Sequence, residues 1–511
     1  MSYTTRLLCY VAITLMTVTG CTNSDPGGDG SGDGGGGGLF GGGNSGGGGD
    51  GQSLAKHSDE ITSDQAYHLL RRAAFGATPE QVEQAVQRGL TATVEDLLEK
   101  KPVPAEWEEL AELYEDNIPR RWMVYLLESP NPLHEKMAMF WHDRFATSRR
   151  VVSGRDRNLA VLHWNMIRNQ SLGNYREFLQ ELTIDPLMLI WLDGANSPKD
   201  NPNENYAREF WELFTLGRDV LYTEDDIKES TKAFTGITLL RESEQDARPI
   251  YDLLNHDTTI KQILPTRVEA GDYDYLGMID ITLDQPEAAE YVARNLFVAF
   301  IHDNPSDTVI NDLAKTLTDS DFEIEPVVRR LLTSQAMFSS DAVGSQITSP
   351  VEHVVGVFRT VDMHIHGEDS QGYILNQLCD DLARAGQELL NPPGVEGWTE
   401  GDAWLEDQWL INRISALGRK MEFGPDRTSD LPYHLLPPVE RWTEREIREE
   451  IVNTIAGWFH LELTEEEVDI YIEMLDQNGW RAFHLLEADQ QPRHVSELIR
   501  LMAVHENVIT R

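Results

Sequence analysis

Helix start and stop signals recur along the chain after residue 62, and this pattern constrains the fold more than any other feature. Apolar residues recur at helical spacing over 63–70, and Gly76 stands where that helix is expected to end. Thr78 and Gln81 match a capping box, with Pro79 in the first turn of the helix that follows. Similar signals continue towards the C-terminus, so most of the chain is predicted to be helical.

Runs with the alternation of β-strands are few. Residues 235–240 and 279–283 are the two stretches expected to form short strands. The predicted fold class is therefore mainly α, a large multi-helix domain with few short strands. We assign residues 56–425 to a helical core and residues 426–511 to a C-terminal helical part of the same domain.

The N-terminal residues 1–20 have the features of a signal peptide. An apolar run of about a dozen residues, 7–18, is too short to span a membrane but suits a signal-peptide core. It leads into Val18-Thr19-Gly20-Cys21, which resembles the bacterial lipobox and implies cleavage before Cys21 and lipidation of that cysteine. Acyl chains would hold the protein on a bilayer. Because Thr22 rather than Asp follows Cys21, we expect the outer membrane of a Gram-negative bacterium.

Residues 21–55 are predicted to be a disordered tether that separates the anchor from the helical domain. The segment is mostly Gly with some Asp, Ser and Asn, so it has almost nothing to bury. A glycine-rich coil of about 25 residues spans roughly 25–30 Å on average. The lipid on Cys21 is thus expected to be the contact with the membrane, while the domain stays clear of the bilayer surface.

The net charge excludes one class of partner. The chain has 86 acidic and 43 basic residues, a formal charge of −43. Proteins that bind DNA or RNA through phosphates need a basic surface, so a nucleic-acid partner is not expected. Of the three cysteines, Cys379 alone lies in the helical domain, which leaves no partner there for a disulfide.

The stretch 201–236 carries the clearest helix signals. Asn201 is predicted to cap a helix that has Pro202 in its first position and ends at Gly217. Thr223 is predicted to cap a second helix, which ends at Gly236.

Three charged residues of the first of these helices, Glu204, Arg208 and Glu212, are spaced four residues apart. They are therefore expected to form a ladder of ion pairs along one face.

Several phrases of the sequence resemble the bacterial family DUF1800. They are His68-Leu-Leu-Arg-Arg-Ala-Ala-Phe-Gly76, Phe140-Trp-His-Asp-Arg-Phe145, Asp185-Pro-Leu-Met188, Asn203-Glu-Asn-Tyr-Ala-Arg-Glu-Phe-Trp-Glu-Leu-Phe-Thr-Leu-Gly217, Tyr222-Thr-Glu-Asp-Asp226 and Asn391-Pro-Pro-Gly-Val-Glu-Gly-Trp398. They occur in the family's order from about residue 60 to the C-terminus. The resemblance implies an exported, mostly helical protein and no particular activity.

Two residues depart from the family pattern. The usual Phe-Trp-His-Asn-His-Phe places a second His where this chain has Arg144, and the Asn expected after Pro393 is Gly394. A metal site that needed the second His would lack that ligand here. No cofactor or metal follows from the remaining residues, and the common catalytic signatures are absent.

The polar residues of these motifs are the candidate site. His142, Glu204, Arg208 and Glu209 are the candidate catalytic group, and the candidate binding residues are Asn203, Asn205, Asp185 and Trp398. Glu204 and Glu209 lie roughly 140° apart around a helix, so either would have to meet His142 or Asp185 from another helix. The alternatives are a hydrogen-bonded core histidine and a structural network of ion pairs around Arg208.

Two loops offer weaker candidates. His364-Ile-His366-Gly-Glu368-Asp369 could bind a metal or lie exposed in a polar loop. The rigid turn before Trp398 could pack as a plug, or it could form the wall of a pocket in which tryptophan stacks on sugars.

Two functions of different classes remain open. The first is a surface lipoprotein that binds or scaffolds an extracellular partner, either a polysaccharide or another envelope protein. The second is a hydrolase with a Glu and His centre, with or without a metal. An open cleft with unbalanced charges would favour the hydrolase, and a sealed, fully paired network would favour the scaffold.

Overall fold

The computed structural model describes residues 52–112, 117–153, 156–243, 246–364, 373–421, 436, 445–477 and 491–510. Within these residues the chain forms 22 α-helices and one two-stranded antiparallel sheet, so the predicted mainly α fold is confirmed. The described residues from 52 onward form one unit. The predicted signal peptide 1–20, Cys21 and the glycine-rich segment as far as Gly51 lie outside them.

The helices and strands follow one another along the chain with short connections. The first part comprises α1 (Ser63–Ala74), α2 (Pro79–Arg88), α3 (Leu90–Leu98), α4 (Ala105–Glu112), α5 (Ile118–Glu128), α6 (Pro132–Arg144), α7 (Arg157–Gln170), α8 (Tyr175–Thr183), α9 (Pro186–Trp191), α10 (Asn205–Glu209), α11 (Glu224–Ala233), β1 (Ile237–Ser243) and β2 (Asp246–Tyr251). The second part comprises α12 (Tyr275–Leu283), α13 (Pro286–Phe300), α14 (Asp307–Asp319), α15 (Ile324–Leu332), α16 (Pro350–Thr360), α17 (Tyr373–Arg384), α18 (Asp407–Met421), α19 (Arg445–Trp458), α20 (Glu465–Gln477), α21 (Gln491–Met502) and α22 (Glu506–Ile509). None of the helices in the described ranges combines the length and apolar character that a bilayer crossing requires.

The predicted capping boxes form, but one predicted helix start is wrong. Thr78 caps α2 and Thr223 caps α11, each through a reciprocal bond with the third residue of its helix. Asn201, in contrast, lies outside α10, which begins at Asn205. The Asn203 side chain accepts a hydrogen bond from the Asn205 N–H and donates to Asp193. These local bonds hold residues 201–204 in a turn that competes with helix formation.

One of the two predicted strands forms. Most of the 235–240 stretch lies in β1, which pairs with β2. The strand predicted at 279–283 is wrong, because these residues end α12. Asp274 caps that helix by accepting a hydrogen bond from Gly277 N–H at 2.9 Å, and buried residues follow at helical spacing. A short apolar run does not by itself distinguish a strand from a buried helix.

The segment predicted as one helix up to Gly217 changes its winding after Glu209. Residues Phe210–Thr215 form a π-helix, and Gly217 then adopts a φ of 90°. The wider turn leaves carbonyls free for side chains. Tyr291 donates its hydroxyl to the carbonyl of Leu213 at 2.6 Å, and Tyr175 donates to the carbonyl of Phe214. The π-helix therefore joins α8 and α13 to this segment.

Aromatic rings form the core beside α6. Trp141 stacks on Phe145 with 5.4 Å between ring centroids and contacts Tyr175 and Phe178. Its indole N–H donates to the carbonyl of Ser171 at 2.9 Å. This packing fixes α6 on one side and leaves other residues of the same helix to form the site described below.

The ends of the helical domain meet at α1 and α16. A Cβ added to Gly76 would lie 2.4 Å from the carbonyl oxygen of Gly356, so neither backbone leaves room for a larger residue there. Arg71 of α1 donates to the carbonyls of three C-terminal residues, Asn507, Val508 and Thr510, at 2.8–2.9 Å. The last residues of the chain are thus tied to its first helix.

Candidate functional site

Arg208 is the centre of the predicted charged ladder. Its guanidinium lies 3.4 Å from Glu204, 3.3 Å from Glu212 and 2.8 Å from Glu224 of α11. The network is solvent-accessible, since the Glu224 side chain is 68% exposed. Exposed ion pairs contribute little to stability, typically below about 1 kcal/mol each. Arg208 and Glu204 are thus balanced charges at the surface that connect α10 to α11.

Glu209 lies apart from this network. It is half-buried, and burial together with the nearby Glu212 raises the pKa of its carboxyl. Its Oε2 has no hydrogen-bond partner among the described residues. Arg218 pairs with Glu212 at 3.2 Å and with Glu396 at 2.5 Å beside it. Glu209 is therefore a carboxyl with raised proton affinity close to the loop that precedes Trp398.

Asn203 and Asn205 have a structural arrangement. Asn203 receives a hydrogen bond from Asn205 N–H at 3.0 Å, and its own N–H donates to Ser197 Oγ at 3.0 Å. The Asn205 side chain is exposed at the start of α10. Both residues therefore shape the turn that leads into α10.

His142 is fully buried among aromatic rings. Its imidazole packs edge-on against Trp122 and Trp398, with 5.6 and 5.2 Å between centroids, and lies 6.3 Å from the ring of His163. Burial, with a contribution from His163, lowers the pKa of His142 to about 3, so the ring is neutral. Neither ring nitrogen has a hydrogen-bond partner in the described part of the chain. No hydrogen bond or ion pair there joins His142 to Glu204 or Glu209.

Asp185 belongs to a buried chain of hydrogen bonds that the sequence did not reveal. Asp185 Oδ1 lies 2.8 Å from His163 Nδ1, and His163 Nε2 lies 2.8 Å from Thr147 Oγ1. Asp185 Oδ1 also accepts from Met188 N–H at 2.8 Å and so caps α9. All three side chains are buried. A histidine at an inward position of the apolar helix α7 was the one signal that could have indicated this chain.

A cavity of about 430 Å³ opens beside α6, and we refer to it as the α6 cavity. It lies between α6, the end of α13, the start of α16 and the loop that leads to Trp404. Its lining residues are Lys136, Met137, Met139, Phe140, Asp143, Arg144, Val298, Ala299, Phe300, Asp303, Gln346, Ile347, Ser349, Glu352, Gln387, Trp398, Thr399, Glu400, Gly401 and Trp404. Trp398 is the only residue of the sequence-based candidate set among them.

The charged groups of the α6 cavity form two clusters. Lys136 and Glu352 make a buried ion pair at 3.0 Å. Arg144 lies 2.8 Å from both Asp143 and Glu400. Burial raises the pKa of Asp143 to about 7, although the Arg144 charge opposes that shift. The residue that replaces the family's second histidine therefore holds two cavity carboxylates together.

The loop before Trp398 packs against α6 and also walls the cavity. Trp398 N–H donates to Asp143 Oδ1 at 2.7 Å, and its indole N–H donates to the carbonyl of Glu388 at 3.2 Å. Gly397 has a φ of 88°, and a Cβ there would lie 2.4 Å from Asp143 Oδ1. The two alternatives for this loop, plug and pocket wall, thus describe one arrangement. Trp398 and Trp404 are nearly buried rather than exposed.

Metal ligands do not converge in the described residues. No group of three or more His, Cys, Asp or Glu side chains among them is arranged to hold a metal ion. Of the candidate loop cluster, His364 is described, and its neighbours from His366 to Asp369 lie outside the described residues.

His364 makes a pH-dependent contribution to stability testable. Hydrogen bonds to Asp362 and Glu128 raise its pKa from 6.5 to about 10. A raised pKa stabilises the folded state fully below pH 6.5, and this stabilisation is lost as pH rises through about 10. We expect the difference in melting temperature between wild type and His364→Gln to shrink across this window. A difference that grows towards pH 10 would contradict the assignment.

The fold and the cavity together define a mainly helical protein with a walled, acidic pocket. A family model described as "Protein of unknown function (DUF1800)" matches residues 68–492, so the chain belongs to the DUF1800 family. This confirms the resemblance carried by the motifs. No curated protein and no solved structure matches the chain.

Proposed function

We propose that this protein is a surface lipoprotein that binds a neutral saccharide segment in the α6 cavity. The observation that carries the proposal is the lining, which combines Trp398 and Trp404 with several carboxylates and the amides Gln346 and Gln387. The apolar faces of sugar rings pack on indoles, and carboxylates and amides accept or donate hydrogen bonds to hydroxyls. Few other ligands satisfy both kinds of group.

The charge balance of the cavity favours a neutral ligand over an anionic one. Four lining residues carry carboxyls, Asp143, Asp303, Glu352 and Glu400, and two are cationic, Lys136 and Arg144. An anionic ligand would be repelled by the excess of carboxylates. The volume, about 430 Å³, lies in the range of small-ligand pockets, roughly 300–1,000 Å³.

The sequence at the N-terminus supplies the location in this proposal. The lipobox-like quartet that ends at Cys21 and the glycine-rich tether would hold the helical domain close to the outer membrane. A saccharide partner is then an envelope or extracellular polysaccharide. An envelope protein as partner would need a contact surface outside the cavity.

Hydrolysis is the second candidate, and one observation favours it. The pKa of Asp143, raised to about 7 by burial, is suitable for a general acid at neutral pH. Both Asp143 oxygens are, however, occupied by hydrogen bonds, from Trp398 N–H and from Arg144. The candidate catalytic residues His142, Glu204 and Glu209 do not line this cavity. Binding without turnover is therefore the better-supported function.

The test is titration of the full-length, detergent-solubilised protein with neutral oligosaccharides of glucose, mannose or galactose, read by tryptophan fluorescence. We expect saturable binding that weakens about tenfold or more in Trp398→Ala, because one aromatic face is lost. Trp107→Ala is the matched control, since Trp107 packs on His364 and does not line the cavity.

A second variant separates lost binding from lost folding. Glu400 has a mostly exposed side chain, so Glu400→Gln should fold normally and still weaken binding. Absence of saturable binding to every sugar, or equal binding by Trp398→Ala and Trp107→Ala, would refute the proposal. Release of shorter oligosaccharides during the titration would instead establish hydrolysis.

A further inference from the structure

A second cavity, of about 340 Å³, lies on different elements from the first, and we refer to it as the α2–α3 cavity. Its walls come from the end of α1, from α2 and α3, from Lys101, from two prolines before and at the start of α6, and from Arg359 of α16. Proline and the helix ends make these walls stiff. The α2–α3 cavity is independent of the proposed saccharide site.

The charge of this cavity is opposite to that of the whole chain. Its charged lining residues are the cations Arg88, Lys101 and Arg359 and the single carboxylate Asp96. The chain as a whole has two acidic residues for each basic one, 86 against 43. A lining with three cations to one carboxylate therefore concentrates positive charge at one place on an acidic surface. Such a concave, positive site attracts anions and focuses their approach.

Arg359 supplies a fixed positive charge at the base of the cavity. Its guanidinium donates to the carbonyls of Leu126 and Leu127 at 3.2 and 2.9 Å and to that of Ser129 at 3.4 Å. These carbonyls are neutral acceptors at the end of α5, so they orient the guanidinium without cancelling its charge. No carboxylate in the described ranges lies within ion-pair distance of it.

The other two cations are partly exposed and share one carboxylate. Lys101 Nζ lies 2.7 Å from Asp96, and Arg88 lies 3.4 Å from the same residue. One carboxylate neutralises only one of the two charges. The amides of Gln81 and Gln84 line the same cavity and add hydrogen-bond donors.

We propose that the α2–α3 cavity binds an oxyanion, such as the phosphate, sulfate or carboxylate group of a small molecule. Its two net positive charges would form charge-assisted hydrogen bonds with the oxygens, which are the strong ones in partly buried settings. The first cavity would exclude the same group. The protein thus has two sites of opposite charge preference.

The test uses inorganic phosphate and inorganic sulfate with the full-length, detergent-solubilised protein, at constant ionic strength balanced by chloride. We expect either anion to raise the melting temperature saturably, as a ligand of the folded state does. The double variant Arg88→Gln/Lys101→Gln should bind at least about tenfold more weakly, because charge-assisted hydrogen bonds are lost. Asp96→Asn should bind several-fold more tightly, because the competing carboxylate is removed.

The control variant keeps the number of removed charges equal. Arg267→Gln/Lys315→Gln removes an exposed Arg and an exposed Lys that pair with Glu287 and Asp319 elsewhere on the surface. It should bind the anions as wild type does. A melting shift that does not saturate, or one of equal size in the two double variants, would show a general salt effect and overturn the proposal.

Discussion

Replacement of Glu352 by Ala is expected to lower the free energy of unfolding by about 3–5 kcal/mol, because it leaves the Lys136 ammonium buried without its carboxylate. The two side chains are 6% and 9% exposed and 3.0 Å apart. Glu352 Oε2 also accepts from Ser349 N–H at 3.1 Å in the capping box of α16. Urea denaturation at neutral pH measures the loss.

Two controls make this prediction specific. In the double variant Lys136→Met/Glu352→Gln no buried charge remains, so most of the lost stability should return. Asp319→Ala breaks the exposed pair with Lys315 on α14 and should cost less than about 1 kcal/mol. A cost below about 1 kcal/mol for Glu352→Ala as well would show that water reaches Lys136 and that the pair is not effectively buried.

Replacement of Asp185 by Ala should cost about 2–4 kcal/mol. The α9 cap at Met188 N–H is lost, which costs roughly 0.5–2 kcal/mol, and His163 loses a buried hydrogen-bond partner, which costs roughly 1–3 kcal/mol. Asp185 entered the candidate site as a binding residue, so its stability effect decides how activity data on this residue are interpreted. Chemical denaturation with circular dichroism provides the measurement.

Asp185→Asn distinguishes a structural role from a role of the negative charge. The asparagine keeps an Oδ1 that can accept from Met188 N–H and from His163, so its cost should stay below about 1 kcal/mol. If Asn destabilises the fold as much as Ala does, the charge on Asp185 is needed and the cap explanation fails. Unchanged stability combined with lost function in Asn would point to the His163–Thr147 chain as working machinery.

Features that depend on neighbours in sequence were predictable from the chain alone. The capping box of Thr223 and Asp226 forms because its partners are three residues apart. The ladder of Glu204, Arg208 and Glu212 forms for the same reason. The wrong strand at 279–283 and the wrong helix start at Asn201 were decided by caps and side-chain bonds that periodicity does not contain.

The α6 cavity could not be predicted in this way. Its wall joins segments near residues 140, 300, 350 and 400, and only tertiary packing brings them together. One signal did point towards it. Asp143 and Arg144 depart from apolar surroundings at the end of α6, and the pair of glycines Gly394 and Gly397 marks a loop that packs closely against that helix.

The tie between α1 and the C-terminal residues affects the order in which the protein can fold during synthesis. Arg71 is bound by carbonyls 436, 437 and 439 positions further along the chain. These bonds cannot form until residue 510 has left the ribosome, so the first helix stays without these partners throughout elongation. Contacts over such separations slow folding. A nascent chain therefore exposes the apolar face of α1 to chaperones and proteases for nearly its whole synthesis.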